Sequence, residues 1–186
     1  MRRCFLPALM ITLLLTGCAD AAPERKLEEQ REALAAAQEI TVLADVSALL
    51  GNERFDCTLF CSTSEDRFTV EVRAPETIAG IRATVDAAGT RIEYEDVSLG
   101  VGGTPDTPSP LAALPLLLTA LRGGSALRRW TERENEQTLL VREYYVTDDT
   151  TLTVWTDGAS LEPVHAEFTC GGAVTIRCEI REFTYR

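Results

Sequence analysis

The sequence predicts an α+β fold, mainly antiparallel β with a small helical part, and three observations carry that expectation. Apolar and polar residues alternate over most of the chain, as where Phe68, Val70 and Val72 interleave with Thr69, Glu71 and Arg73. One face buried and one wet is the signature of antiparallel pairing. Short turn signals, Ala88-Gly89, Asp148-Asp149 and Gly171-Gly172, separate these runs. One central stretch, Ser109–Gly124 (SPLAALPLLLTALRGG), breaks the pattern by repeating leucine at helical spacing.

The N-terminus reads as an export signal. Arg2-Arg3 precede an apolar run, Phe5–Leu15, that is too short to span a membrane stably, and Leu15-Thr16-Gly17-Cys18 follows. This tetrad resembles the bacterial lipoprotein lipobox. The resemblance implies acylation of the Cys18 thiol, cleavage before it, and a membrane anchor of two or three acyl chains. Residues 1–17 are then a signal peptide, 18–25 a lipidated tether, and 26–186 a single domain. Without Arg2 and Arg3, 16 basic side chains face 29 acidic ones, a balance of −13. Such a surface repels nucleic acid and anionic headgroups, so neither is expected as a direct partner. The 45% hydrophobic and 25% charged fractions are those of a globular chain with a sizeable core.

Lys26–Gln38 is rich in strong helix formers, but its face of Leu27, Leu34 and Ala35 is thin, which places it at the edge of the domain. From Ile40 the period becomes two. Ile81–Val85 and Arg91–Val97 continue the scheme, and Gly100–Pro110 is a loop dense in glycine and proline. In the central segment Ser109 is placed to cap, Pro110 suits the first helical position, and Gly123-Gly124 ends the run. Pro115 has no N–H, so a kink or two short helices are expected. Leu111, Leu114, Leu117, Leu118 and Leu121 form a stripe that reads as core on a curved sheet, or as the lid of an apolar cavity. Thr138–Val146 and Thr150–Thr156 then form a hairpin. Beyond Asp157-Gly158, a strand through Val164, Ala166, Phe168 and Cys170 turns into Val174–Tyr185. Eight to ten strands are expected by this template.

The order of helix, meander, helical insertion and meander resembles the LolA/LolB-like lipoprotein superfamily. Local cues are Ala74-Pro75-Glu76-Thr77-Ile78-Ala79-Gly80-Ile81, Tyr94-Glu95, Ser109-Pro110 with Leu114-Pro115-Leu116-Leu117, Trp130, and Val154-Trp155 with Pro163 and Glu167. They are similar to those of lipoproteins from bacteria of the clostridial group. The resemblance covers residues 26–186 and implies a half-open β-barrel whose concave face is covered by the helices. It also implies a face that carries acyl chains. The carrier LolA is itself not lipidated, so the lipobox argues for a tethered acceptor or binder over a shuttle.

Four cysteines remain in the domain: Cys57, Cys61, Cys170 and Cys178. In an oxidising compartment an even set points to disulfides, with three connectivities. Bonds between the Cys57/Cys61 segment and the Cys170/Cys178 strands are the favoured reading. Local bridges and buried free thiols are the alternatives. The cysteine spacing is not that of zinc ligands, and His165, the sole histidine, lies on an outward strand face, so no metal or cofactor is expected. No serine or cysteine sits in a nucleophile-elbow context, and paired carboxylates such as Glu93/Glu95 read as a solvated strand face. The expectation is therefore a non-enzymatic, exported, lipid-anchored protein that binds an acyl chain or another apolar ligand. The candidate lining is Leu114, Leu117, Leu118, Leu121, Val70, Val72 and Trp130. The alternative is an envelope protein-interaction module with a filled core, such as a sporulation or germination partner of a cell-wall amidase.

Overall fold

In the computed structural model, residues 21–64, 67–100 and 108–186 are described. The expected signal peptide, Cys4 and the lipidation site Cys18 lie outside them. The chain opens with helix α1 (Ala21–Ala36), followed by β1 (Glu39–Leu50), β2 (Glu53–Ser64) and β3 (Arg67–Ala74). β4 (Arg82–Asp86), β5 (Gly89–Tyr94) and β6 (Val97–Gly100) complete the first half. Helix α2 (Pro110–Gly123) leads into β7 (Ala126–Glu134), β8 (Gln137–Thr147), β9 (Thr150–Asp157), β10 (Pro163–Cys170) and β11 (Ala173–Tyr185).

All of these strands form one antiparallel sheet in the order β6-β5-β4-β3-β2-β1-β11-β10-β9-β8-β7. Two meanders fan out from the β1–β11 pair, and α2 is the crossover from one edge of the sheet to the other. A sheet of this many strands curls around whatever it covers. The alternation in β1 selects its inner side: Ile40, Val42, Ala44, Val46 and Ala48 are buried, with half-buried residues between them. They share one core with Leu59 and Cys61 of β2, Val70 and Val72 of β3, and Leu152, Val154, Ala166 and Phe168 of β9 and β10. Both helices add to that core, α2 by Ala113, Leu114, Leu117 and Leu118, and α1 by Leu34. Both therefore lie on the same face.

Four differences from the sequence expectations have local causes. α1 begins at Ala21, so residues 21–25 are helical rather than tether. Pro23 falls in the first turn, where a missing N–H breaks no bond. Of the kink or two short helices expected at Pro115, the two-helix alternative is overturned, because α2 is one helix with Pro115 inside it. Ser109 caps it, its hydroxyl accepting from the Ala112 amide at 3.2 Å. The strand expected over Arg91–Val97 stops at Tyr94, because Glu95 turns the chain at φ 50° into the edge strand β6. β7 was not foreseen at all: it is exposed over nearly its whole length, so it shows no buried alternation. Its turn to β8 runs through Asn135 and Glu136, at φ 46° and 68°.

Candidate functional site

The helix-covered face is where the fold gathers apolar side chains. Leu114, Leu117 and Leu118 of α2 are fully buried, and Leu121 retains 9% exposure. They meet Val70 and Val72 in one cluster because α2 packs against β1, β2, β3 and β11. Six of the seven candidate lining residues are therefore brought together. Trp130 is not with them. It pairs with Val141, which pairs with Trp155, and that register puts all three on the opposite, outer face. There the Trp130 indole donates to Glu132 at 2.6 Å, the Trp155 indole donates to the same carboxylate at 2.9 Å, and Trp130 is 38% exposed. The expectation that Trp130 lines the apolar site with the other six is corrected by strand parity.

Among the described residues, three clefts on the outer face stand out, and the α2 leucines line none of these three. One lies over β1, β2 and β11 around Asp45, Ser47 and Arg177. A second runs along β4 and β5 around Thr84 and Arg91. The third, of about 440 Å³, is lined by Gln137, Leu139, Trp155, Val164, His165 and Glu179. In it His165 stands edge-on to Trp155 at 4.9 Å, with Nδ1 2.8 Å from Glu179 and Nε2 3.2 Å from Glu167. On the same outer face Glu143, 7% exposed, accepts from Arg128 across the β7–β8 pair, which holds its carboxyl below the ordinary range. Among the described residues no group of three or more His, Cys, Asp or Glu is arranged to hold a metal ion.

The four domain cysteines are free thiols, and the favoured disulfides between β2 and the β10–β11 strands are not formed. Cys57 and Cys178 do share the inner face, but on either side of Val46, their common register partner. Two strand spacings separate their backbones by about 9.6 Å, beyond the ~4.4–6.8 Å a disulfide tolerates. Cys61 is opposite Val42, two repeats further along β2, and Cys170 is exposed at the end of β10. Burial pushes the Cys61 and Cys178 thiols up to about 12 and Cys57 to about 11, so these three stay protonated and unreactive.

The two helices are held differently. α2 buries Ala112, Ala113, Leu114, Pro115, Leu117, Leu118 and Leu121. Among its described side chains α1 buries Leu27 and Leu34; it packs against α2 and also makes polar contacts. Gln30 Nε2 donates to the Leu161 carbonyl in the β9–β10 loop. Asp157 shapes that loop by accepting from the Ala159 amide at 2.9 Å, the Ser160 amide at 2.6 Å and the Gln137 side chain, which together hold its carboxyl at about 2. At the other end of α1, Glu24 Oε2 accepts from Arg142 at 3.0 Å and from Arg129 at 3.3 Å. Sequence reading missed both Asp157 and the Glu24 contact. The Asp-Gly turn signal at 157–158 marked the first, while nothing local marked the second.

No family model matches the chain, and no curated protein sequence matches it. Solved structures do resemble it. A DUF1329 family protein from Desulfovibrio piger superposes with a TM-score of 0.52 at 10% identity, over 86% of this chain and 90% of that one. An uncharacterized conserved protein from Thermus thermophilus gives 0.52 at 10% identity, over 88% and 87%. A Vibrio parahaemolyticus domain described as an outer membrane lipoprotein-sorting protein gives 0.50 at 12% identity, over 88% and 93%. At these identities the likeness is one of fold.

Proposed function

We propose that this chain is a non-enzymatic, membrane-anchored envelope lipoprotein that binds an acyl chain or a similar apolar ligand on the helix-covered face of its sheet. The observation that carries the reading is the asymmetry of that face. A continuous apolar surface is closed by one deeply seated helix and one thinly seated helix, α1. Displacing α1 would uncover the part of that surface on which Leu27 and Leu34 are buried, and a ligand laid there would gain ~25 cal/mol per Å² removed from water. The resemblance to the LolA-like superfamily implies a half-open barrel covered by helices on its concave face, and the fold likeness to a domain described as lipoprotein-sorting supports the reading. Fold alone does not carry function, so the lipid must be looked for directly. The anchor is Cys18, and Cys18→Ser should move the protein from the membrane to the soluble fraction. Native mass spectrometry of the domain prepared from Ala19 onward tests the ligand. A co-purifying mass of lipid size, lost on unfolding, supports the proposal, and a bare protein mass with no saturable apolar probe binding opposes it.

A second reading is favoured by one observation: Leu114, Leu117, Leu118, Val70 and Val72 fill the inner face with their own side chains. On this reading the chain is an envelope interaction module, and the outer-face clefts around Trp155 and His165 do the work. Loss of partner binding in Trp155→Ala, with lipid binding absent throughout, would favour it.

A further inference from the structure

Arg129 and Arg142 are direct register partners across the β7–β8 pair. Like charges directly opposite on one strand face repel, so this arrangement needs an anion between them. The anion present is one oxygen, Oε2 of Glu24, supplied by the first turns of α1. The arrangement has capacity to spare. The Arg142 side chain is 12% exposed, and its Nε is buried with no hydrogen-bond partner. Arg31, paired with Glu28, joins Arg129 and Arg142 in the electrostatic surroundings of the buried Tyr144. Arg129 remains 57% exposed, so the pair can be reached from the β7 edge. This cationic cluster runs against a chain of net charge −11. It also sits where the thinly seated helix meets the sheet.

We propose that Arg129 and Arg142 form an anion clamp for the carboxylate or phosphate head of a lipid, occupied by Glu24 when no ligand is bound. The inference rests on the acyl-binding reading above and adds the head-group class to it. An incoming head replaces the Glu24 oxygen, offers a second oxygen to the unpartnered Arg142 Nε, and releases the N-terminal half of α1. The tail then lies against the wall that α1 had covered. Arginine suits this task because its planar fork pairs with two oxygens at once.

The test uses the full chain in nonionic detergent, a photo-crosslinking palmitate, and the methyl ester of the same probe. The acid should label peptides from α1, β7 and β8 roughly tenfold or more above the ester, as hydrogen bonds to a charged head allow. Arg129→Gln, at an exposed edge position that leaves folding intact, and Arg142→Gln should each erase that preference. Glu24→Gln should raise labelling by the acid, because the resident competitor is gone. Equal labelling by acid and ester, unchanged in both arginine variants, would overturn the clamp and leave the acyl-binding reading standing. Saturable labelling by neither probe would overturn both. Lower labelling in Glu24→Gln would make Glu24 a structural staple and overturn the competition. Inorganic phosphate at millimolar excess should leave labelling intact, and its abolition there would assign the clamp to free anions instead of lipid heads.

Discussion

α1 and α2 lie on the same face of the same sheet and are held there by different physics. α2 has a broad apolar stripe and sinks it into the core, with Leu114, Leu117 and Leu118 fully buried. Among its described side chains α1 buries two leucines on a strongly polar helix. It is further seated by packing against α2, one carboxylate between two arginines and one glutamine on a loop carbonyl. Burial is non-directional and scales with area, so α2 is bound to the fold itself. Charge-assisted contacts at a half-exposed edge are few and exchangeable, so α1 is bound to particular partners. Of the two, α1 is the helix a ligand could replace.

The comparison breaks most visibly in the core. Leu118→Ala should cost about 3 kcal/mol or more in urea denaturation, the cost of a buried leucine and its cavity. Leu27→Ala should cost clearly less, and equal costs would show that α1 is seated as deeply as α2. Next comes the loop beneath α1. Asp157→Ala should cost about 2 kcal/mol by leaving the Ala159 and Ser160 amides and Gln137 without their acceptor. It should also speed hydrogen exchange in α1 while leaving α2 protected. The same carboxylate sets an acid limb. Its folded value of about 2 lies below the ordinary 3.8, so its contribution is complete above pH 3.8 and is lost as pH falls towards 2. In Asp157→Ala that part of the acid dependence should disappear. A smaller effect is expected at the α2 cap, where Ser109→Ala removes one acceptor and should cost about 1 kcal/mol. The smallest concerns the thiols: reductant should leave the denaturation midpoint unchanged, and alkylation of the folded protein should reach Cys170 but not Cys57, Cys61 or Cys178. A midpoint that falls with reductant would mean that disulfides brace the domain.

Much of the fold was legible because it rests on local rules. Ser109, Pro110 and Gly124 bracket α2 as capping chemistry requires, and the hairpins at Asp148-Asp149 and Gly171-Gly172 appear where the turn residues stand. β7 was illegible because an edge strand that buries neither face leaves no alternation to read. Trp130 was misplaced for the same reason, since without β7 its parity could not be assigned. The cysteines were misjudged on a different ground. Compartment and even number argued for bonds, but β1 passes between Cys57 and Cys178, and that neighbour relation joins residues far apart in the chain.

The sequence by itself determined the alternation that makes a sheet, the leucine stripe that makes α2 a core helix, the thin face of α1, and the Cys18 motif from which the anchor is proposed. These are properties of periodicity and of neighbouring residues, and they survive without any knowledge of what lies across the fold. Only the tertiary structure decided that Arg129 stands opposite Arg142, that Glu24 reaches both, and that the two tryptophans share the outer face. Those meetings depend on strand order and register, which couple residues as distant as 24 and 142, and a one-residue slip in β7 would have sent Arg129 to the other face.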